Sequence, residues 1–163
     1  MGLDQYLYAK KYYSGGSYSP ASEQEVYSNI VKAVGVSHLS VDMTPSIEVT
    51  IKVAQWRKAN QVHGWFVDNV QHGEDDCREY EVSRDDLHQL MALCNEVLAK
   101  RDNDVAEELL PTTAGFFFGS DDIDEYYYAD LEYTVKTLAT LLEDDVLADT
   151  TGWRWEFYYQ SSW

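Results

Sequence analysis

The chain has 163 residues, the usual size of one domain, and 45% of them are hydrophobic, which is enough for a core. Acidic residues outnumber basic ones by 29 to 12, giving a formal net charge of −17. The composition therefore excludes a protein that holds nucleic acid or anionic membranes through a dominant basic surface.

The N-terminal third is predicted to contain two strands and one helix. Residues 3–9 alternate loosely and favour a strand. Ser19 and Pro20 are expected to begin a helix as its N-cap and first helical residue, and Gly35 is expected to end it. Its inward positions are predicted to be Val26, Ile30, Val31 and Val34. Residues 45–54 alternate clearly between aliphatic and polar side chains and predict a strand. Its buried face is predicted to carry Ile47, Val49, Ile51 and Val53.

The middle third is predicted to be mainly helical. Apolar and aromatic residues recur every three or four positions over 55–70, which predicts a helix. Residues 80–82 are predicted as a short strand, and Ser83 with Asp86 as a capping box for the next helix. The buried positions of that helix are predicted to be Leu87, Leu90, Met91, Cys94, Val97 and Leu98. Residues 105–110 are predicted to form a brief helical turn.

The C-terminal third contains an aromatic run, Gly-Phe-Phe-Phe-Gly at 115–119, which is predicted to be a short buried strand. Ser120 is predicted to cap a long helix that ends near Leu142. A last strand is predicted over 153–160, with Trp153, Trp155, Phe157 and Tyr159 on one face. These elements predict an α+β class: one compact domain over 1–163, with a mostly antiparallel sheet of four or five strands packed with about four helices.

The negative charge is unevenly distributed along the chain. Residues 1–71 carry six acids and six bases, so this half is neutral. Residues 102–149 carry fourteen acids and a single base, Lys136. We call 102–149 the acidic segment, and we expect any basic partner to bind there.

Motifs for chemistry are missing. The four histidines follow no metal-ligand spacing, and the chain has neither a phosphate-binding glycine loop nor a nucleophile motif. We therefore predict no metal, no cofactor and no catalytic residue, which favours a binding protein over an enzyme. Two cysteines, Cys77 and Cys94, are too few for a disulfide framework and indicate a reducing compartment.

One group of residues could bind a planar or anionic ligand by stacking and charge-assisted hydrogen bonds. If 55–70 is helical, Trp56, Asn60 and His63 share a face near Arg57 and Lys58. The predicted ligand-binding residues are Trp56, Arg57, Lys58, Asn60, His63, Phe117, Tyr159 and Trp163. The alternative is that the aromatic residues and His63 belong to the core, while the two bases are simply solvated.

A second group could bind a protein partner. The residues are Asp121, Asp122, Asp124, Glu125 and Tyr128. A helix cannot bury the three successive tyrosines at 126–128 in one core, so at least one should be exposed beside these carboxylates. The alternative is that the carboxylates favour the helix N-terminus and keep the protein soluble.

Several blocks of the sequence recur together in one known family. They are residues 1–8 (MGLDQYLY), 56–71, 109–111, 115–120 and 157–163 (FYYQSSW). In this combination the chain resembles a family of small tailed-bacteriophage proteins that are usually labelled hypothetical. It departs from the family pattern at Gln5, where Met is expected, and at Arg78, where Gly is expected. The resemblance implies an accessory phage protein that works in the cytoplasm of the host bacterium.

Three functions remain open. The first is inhibition of a host defence or nucleic-acid-handling protein, whose basic surface would bind the acidic segment. The second is a sponge that sequesters a small nucleotide signal in the predicted ligand-binding residues, and the third is a hydrolase of such a signal. We expect no direct nucleic-acid binding and no membrane association, since no apolar stretch approaches the about 20 residues that span a bilayer.

Overall fold

The computed structural model describes residues 2–39, 45–148 and 154–163. The strands are β1 (Asp4–Ser14), β2 (Ser46–Arg57), β3 (Tyr80–Val82) and β4 (Glu156–Ser162). The helices are α1 (Ala21–Ala33), α2 (Asn60–Asn69), α3 (Arg84–Lys100), α4 (Asn103–Leu109), α5 (Glu125–Glu143) and α6 (Asp145–Ala148).

The strands form one antiparallel sheet in the order β2-β1-β4-β3. This confirms the α+β class and the mostly antiparallel sheet. The described residues hold six helices rather than about four, because the predicted turn at 105–110 is the short helix α4 and α6 was not predicted. The predicted residue Trp153 lies outside the described residues.

Helices α2, α3 and α5 cover one face of the sheet. Alternation along β1 and β4 points Leu7, Ala9, Phe157 and Tyr159 to this face, and all four are buried. The Phe66 ring of α2 stacks on Tyr159 with centroids 3.9 Å apart and planes at 10°. On α3 the predicted capping box of Ser83 and Asp86 is confirmed, as are its predicted buried residues Leu87, Leu90, Cys94 and Val97.

The outer face of the sheet carries tyrosines and lysines. Tyr6, Tyr8 and Tyr158 are half-buried there. The Lys52 ammonium lies 4.3 Å from the Tyr6 ring centroid, and the Lys10 ammonium lies 4.8 Å from that of Tyr158. Lys10 also forms an ion pair with Glu79.

Strand β2 differs from the prediction at its inward face. Leu7 pairs with Ala54 and Tyr8 with Lys52, so Val53 has no partner and forms a β-bulge. The bulge moves the inward positions by one residue from Ala54 onward, so Ala54 and Trp56 are buried. Ile51 precedes the bulge and pairs with buried Ala9, but it is 46% exposed. The prediction that Ile51 belongs to a continuous buried face is therefore wrong.

Helix α1 lies at the margin of the fold and contacts β1. Of its predicted inward residues, Val31 is buried, Val26 and Ile30 are half-buried, and Val34 follows the helix and is 64% exposed. The predicted Ser19 cap is wrong, since Pro20 occupies the N-cap position without a side-chain hydrogen bond. Gly35 follows the helix with a φ of 77°, as its predicted role as terminator requires.

Two further predictions are wrong between α4 and α5. Residues 115–119 form a turn instead of a buried strand, with Phe116 96% exposed. Helix α5 begins at Glu125 rather than after Ser120, because the Asp124 side chain caps it by accepting from the backbone N–H groups of Tyr126 and Tyr127. Its end at Glu143 agrees with the predicted end near Leu142.

Candidate functional site

Strand β2 ends in a backbone kink at Lys58, whose φ of 61° is left-handed. The Lys58 N–H donates to the Leu3 carbonyl at 2.8 Å, and the Asn60 N–H donates to the Lys58 carbonyl at 2.9 Å. The kink separates Trp56 on the strand from Asn60 on α2. The predicted helix over 55–70 therefore begins five residues late, and Trp56 does not share its face.

Trp56 joins the sheet to α5. Its side chain is buried, and its Nε1–H donates to the Thr134 hydroxyl at 2.8 Å. Thr134 in turn donates to the Asp130 carbonyl at 2.7 Å. Because each of these polar groups has a partner within the protein, Trp56 is a structural anchor and is not free to stack on a ligand.

Asn60 holds the 113–120 connection. Its buried side-chain amide donates to the carbonyls of Ser120 at 2.7 Å and Phe118 at 3.3 Å, and its Oδ1 accepts from the Thr113 N–H at 3.1 Å. One side chain thus satisfies three backbone groups of a connection that is not helix or strand.

His63 lies in a buried hydrogen-bond chain. Its Nδ1 is 2.8 Å from the Tyr159 hydroxyl, and its Nε2 is 3.0 Å from Asp75 Oδ2. Burial raises the pKa of Tyr159 well above its ordinary value, so the phenol keeps its proton. We assign the tautomer in which Tyr159 donates to Nδ1 and Nε2–H donates to the Asp75 carboxylate.

The hydrogen-bond chain that contains His63 continues to the surface through Asp75. The other oxygen of Asp75 accepts from the Trp163 indole N–H at 3.0 Å. The Phe118 ring packs edge-on against His63 at 5.1 Å and against Trp163 at 6.1 Å between centroids. This group joins α2, β4, the loop before β3 and the 113–120 connection.

The eight predicted ligand-binding residues therefore do not line one cavity, and their binding of a ligand stays a prediction. The buried residues with internal partners are Trp56, Asn60, His63 and Tyr159. Phe117 is half-buried and its carbonyl accepts from the Leu3 N–H at 2.9 Å, while Trp163 is 45% exposed. Arg57 and Lys58 remain exposed at the kink.

A groove of about 350 Å³ lies between the kink and the first turns of α5. Arg57 and Lys58 line it from the kink side, and Asp122, Asp124 and Asp130 line it as well. Its other lining residues are Gln61, Thr112, Gly119, Ser120, Tyr126, Tyr127 and Ala129. Two predicted ligand-binding bases and two predicted partner-binding acids thus meet in one cavity.

Asp130 is a half-buried carboxylic acid in the groove. Burial raises the pKa of its carboxyl to about 6, a hydrogen bond from Gln61 opposes this, and the nearby charge of Asp124 adds to it. Near neutral pH, Asp130 is therefore a carboxylate that gains from any cation brought close to it.

Of the five predicted partner-binding residues, four lie at the surface and one is buried, and their binding of a partner stays a prediction. Asp121, Asp122, Asp124 and Glu125 are exposed. Tyr128 is buried, with 7% exposure, whereas Tyr126 is 82% exposed. Because a helix cannot bury three successive side chains in one core, one of the tyrosines at 126–128 is expected to be exposed, and it is Tyr126. Tyr127 is buried too, with its hydroxyl donating to the Leu110 carbonyl at 2.8 Å.

Sequence reasoning missed Asp75, Gln61 and Asp130. Asp75 lies in the loop between α2 and β3, and its partner His63 is twelve residues away. Gln61 and Asp130 lie on different helices and meet through packing. The one available signal was that Asp130 falls one turn after the capped start of α5, on the side of Tyr127 and Thr134 that packs inward.

Within the described ranges, no three His, Cys, Asp or Glu side chains are grouped closely enough to hold a metal ion. The helices of the described ranges also include none that is long and apolar enough to cross a membrane. No family model, no curated protein and no solved structure matches the chain.

Proposed function

We propose that the protein acts by binding a partner protein with a basic surface, through the exposed carboxylates of the acidic segment. The observation that carries this proposal is their exposure. Of the thirteen acids in the described part of the segment, twelve are exposed and Asp130 is half-buried.

Few of these carboxylates are neutralised by the protein itself. In the described residues, the ion pairs of the segment are those of Arg101 with Glu125 at 3.8 Å and Glu132 at 2.7 Å. Exposed, unpaired charges of one sign create a field that attracts an oppositely charged protein and speeds its association.

The carboxylates are also held on a rigid support. Helix α5 presents Glu125, Glu132 and Glu143 along its exposed side, and Asp124 is fixed as its N-cap. Asp122 is held by a hydrogen bond from the Ser120 hydroxyl at 2.9 Å. A partner therefore meets charges whose positions are largely set before binding, which lowers the entropic cost of association.

The biological setting of the proposal is inhibition of a host defence or nucleic-acid-handling protein by a phage protein in the host cytoplasm. It rests on the sequence resemblance together with the acidic surface. The nucleotide sponge and the hydrolase receive no support from the geometry. Four of their eight predicted residues, Trp56, Asn60, His63 and Tyr159, are buried, and three carboxylates share the groove with Arg57 and Lys58.

The test compares two fourfold neutralised variants of equal charge. In the first, Asp121, Asp122 and Asp124 become Asn and Glu125 becomes Gln, which keeps a capping side chain at position 124. In the matched control, the exposed carboxylates Glu25, Asp68, Glu74 and Glu81 are replaced in the same way.

Each protein is immobilised and exposed to lysate of the bacterial host, and any captured protein is identified, purified and titrated. We expect a basic protein whose affinity falls steeply with salt, and falls at least about tenfold in the first variant but little in the control. Equal binding by both variants, or binding that salt leaves unchanged, contradicts the proposal.

A further inference from the structure

The groove between the kink and α5 is lined by charged side chains of both signs. Arg57 and Lys58 supply two positive charges, and Asp122, Asp124 and Asp130 supply three negative ones. A phosphate-bearing ligand would face the three carboxylates, and a simple polyamine would face the two bases. A ligand with two cationic groups and one anionic group complements charges of both signs in the groove.

Lys58 lines this groove in a backbone conformation that costs free energy. Its left-handed backbone is uncommon for a residue with a side chain, and such strain concentrates at functional sites. Its stem lies against Gly119, whose φ is 95°: a Cβ added there would be 3.0 Å from Lys58 Cβ. Arg57 Nε lies 3.9 Å from Asp4 Oδ1, whereas in the described residues no carboxylate lies within 4.0 Å of the Lys58 ammonium.

The aspartates keep free acceptor oxygens. Asp122 uses Oδ2 to accept from Ser120, and Asp124 uses Oδ1 to cap α5, which leaves one oxygen of each for a ligand. Gln61, 3% exposed, supports the floor of the groove by donating to the Tyr127 carbonyl at 3.3 Å. The volume of about 350 Å³ falls within the usual range of small-molecule sites.

We propose that this groove binds a basic amino acid, with the α-carboxylate at Arg57 and Lys58 and the cationic groups at Asp122, Asp124 and Asp130. The exposed Tyr126 at its rim offers an aromatic face to a guanidinium or ammonium group. The inference is argued from the groove, and it shares Asp122 and Asp124 with the surface proposed for the protein partner.

Calorimetric titration with free L-arginine and free L-lysine tests it. Two analogues separate the two ends of the ligand: citrulline lacks the side-chain cation of arginine, and agmatine lacks its carboxylate. We expect saturable binding of at least one of the two amino acids, and affinities for citrulline and for agmatine that are at least about tenfold lower than that for arginine.

Variants test the residues. Lys58→Gly accommodates the left-handed backbone and removes the ammonium, and Lys58→Gln removes the charge alone; each should weaken binding at least about tenfold, as should Asp130→Asn. Lys136→Gln and Asp145→Asn are exposed controls outside the groove and should bind like wild type. No saturable binding of either amino acid, or agmatine binding as tightly as arginine, overturns the inference.

Discussion

Replacing Tyr159 by Phe removes one hydroxyl from the centre of the buried hydrogen-bond chain. The ring is fully buried, and its stacking on Phe66 at 3.9 Å stays in place, so apolar packing is nearly unchanged. His63 Nδ1, however, loses the partner it has at 2.8 Å and is left buried without one. Leaving a buried polar group unsatisfied costs about 1–3 kcal/mol of unfolding free energy.

We therefore expect Tyr159→Phe to lower the free energy of unfolding by about 2 kcal/mol, and the melting temperature by roughly 4–8 °C for a chain of this size. Urea unfolding followed by tryptophan fluorescence and circular dichroism measures the change. Tyr126→Phe is the matched control, since that hydroxyl is exposed and its loss should cost less than about 0.5 kcal/mol. A Tyr159→Phe protein as stable as this control would refute the assigned chain of hydrogen bonds.

Three further predictions concern single residues. The folded-state pKa of Asp130, about 6, lies above its ordinary 3.8, so the native state binds the proton more tightly and loses stability as pH rises through about 4 to 6. At pH 7 the free energy of unfolding of Asp130→Asn should exceed that of the wild type by about 1 kcal/mol, after allowance for solvent screening. This difference should shrink toward pH 4, and a difference that does not change with pH contradicts the prediction. Asp124→Ala should cost about 1 kcal/mol of unfolding free energy and Asp124→Asn much less, because asparagine also caps helices; equal losses in denaturant titrations would deny the cap. Burial raises the pKa of the Cys94 thiol to about 12. A thiol reagent should therefore label half-buried Cys77 in the native protein and label Cys94 only after unfolding. Fast labelling of both cysteines in the native state would contradict the structure.

The elements that could be predicted are those with a strong local signal. The capping box at Ser83 and the spacing of Leu87, Leu90 and Cys94 predict α3 because both features act within one or two turns of chain. Alternation in the last strand predicts that Phe157 and Tyr159 share one face of the sheet, because this pattern also depends only on neighbouring residues.

The predictions are wrong where helix and strand patterns overlap in the sequence, or where contacts between distant residues determine the local structure. The aromatic period from Trp56 to Phe66 fits a helix, but β2 continues through Trp56 because Gln5 and Tyr6 pair with it and its neighbour. The aromatic run at 116–118 resembles a buried strand, yet hydrogen bonds from Asn60 hold that connection as a turn. The groove joins a strand end, a loop and two helices, so no sequence window contains it.

The two lysines over the tyrosines of the outer sheet face have a consequence for self-association. A single-layer sheet with one face uncovered exposes flat rings that could adhere to another molecule. Here the Lys52 and Lys10 head groups sit 4.3 and 4.8 Å from the centroids of Tyr6 and Tyr158. Each ring is thus covered by an ammonium group, and a second molecule would have to displace that group before stacking on the ring. In the described residues, cationic side chains rather than helices lie over these two rings, which disfavours self-association through this face.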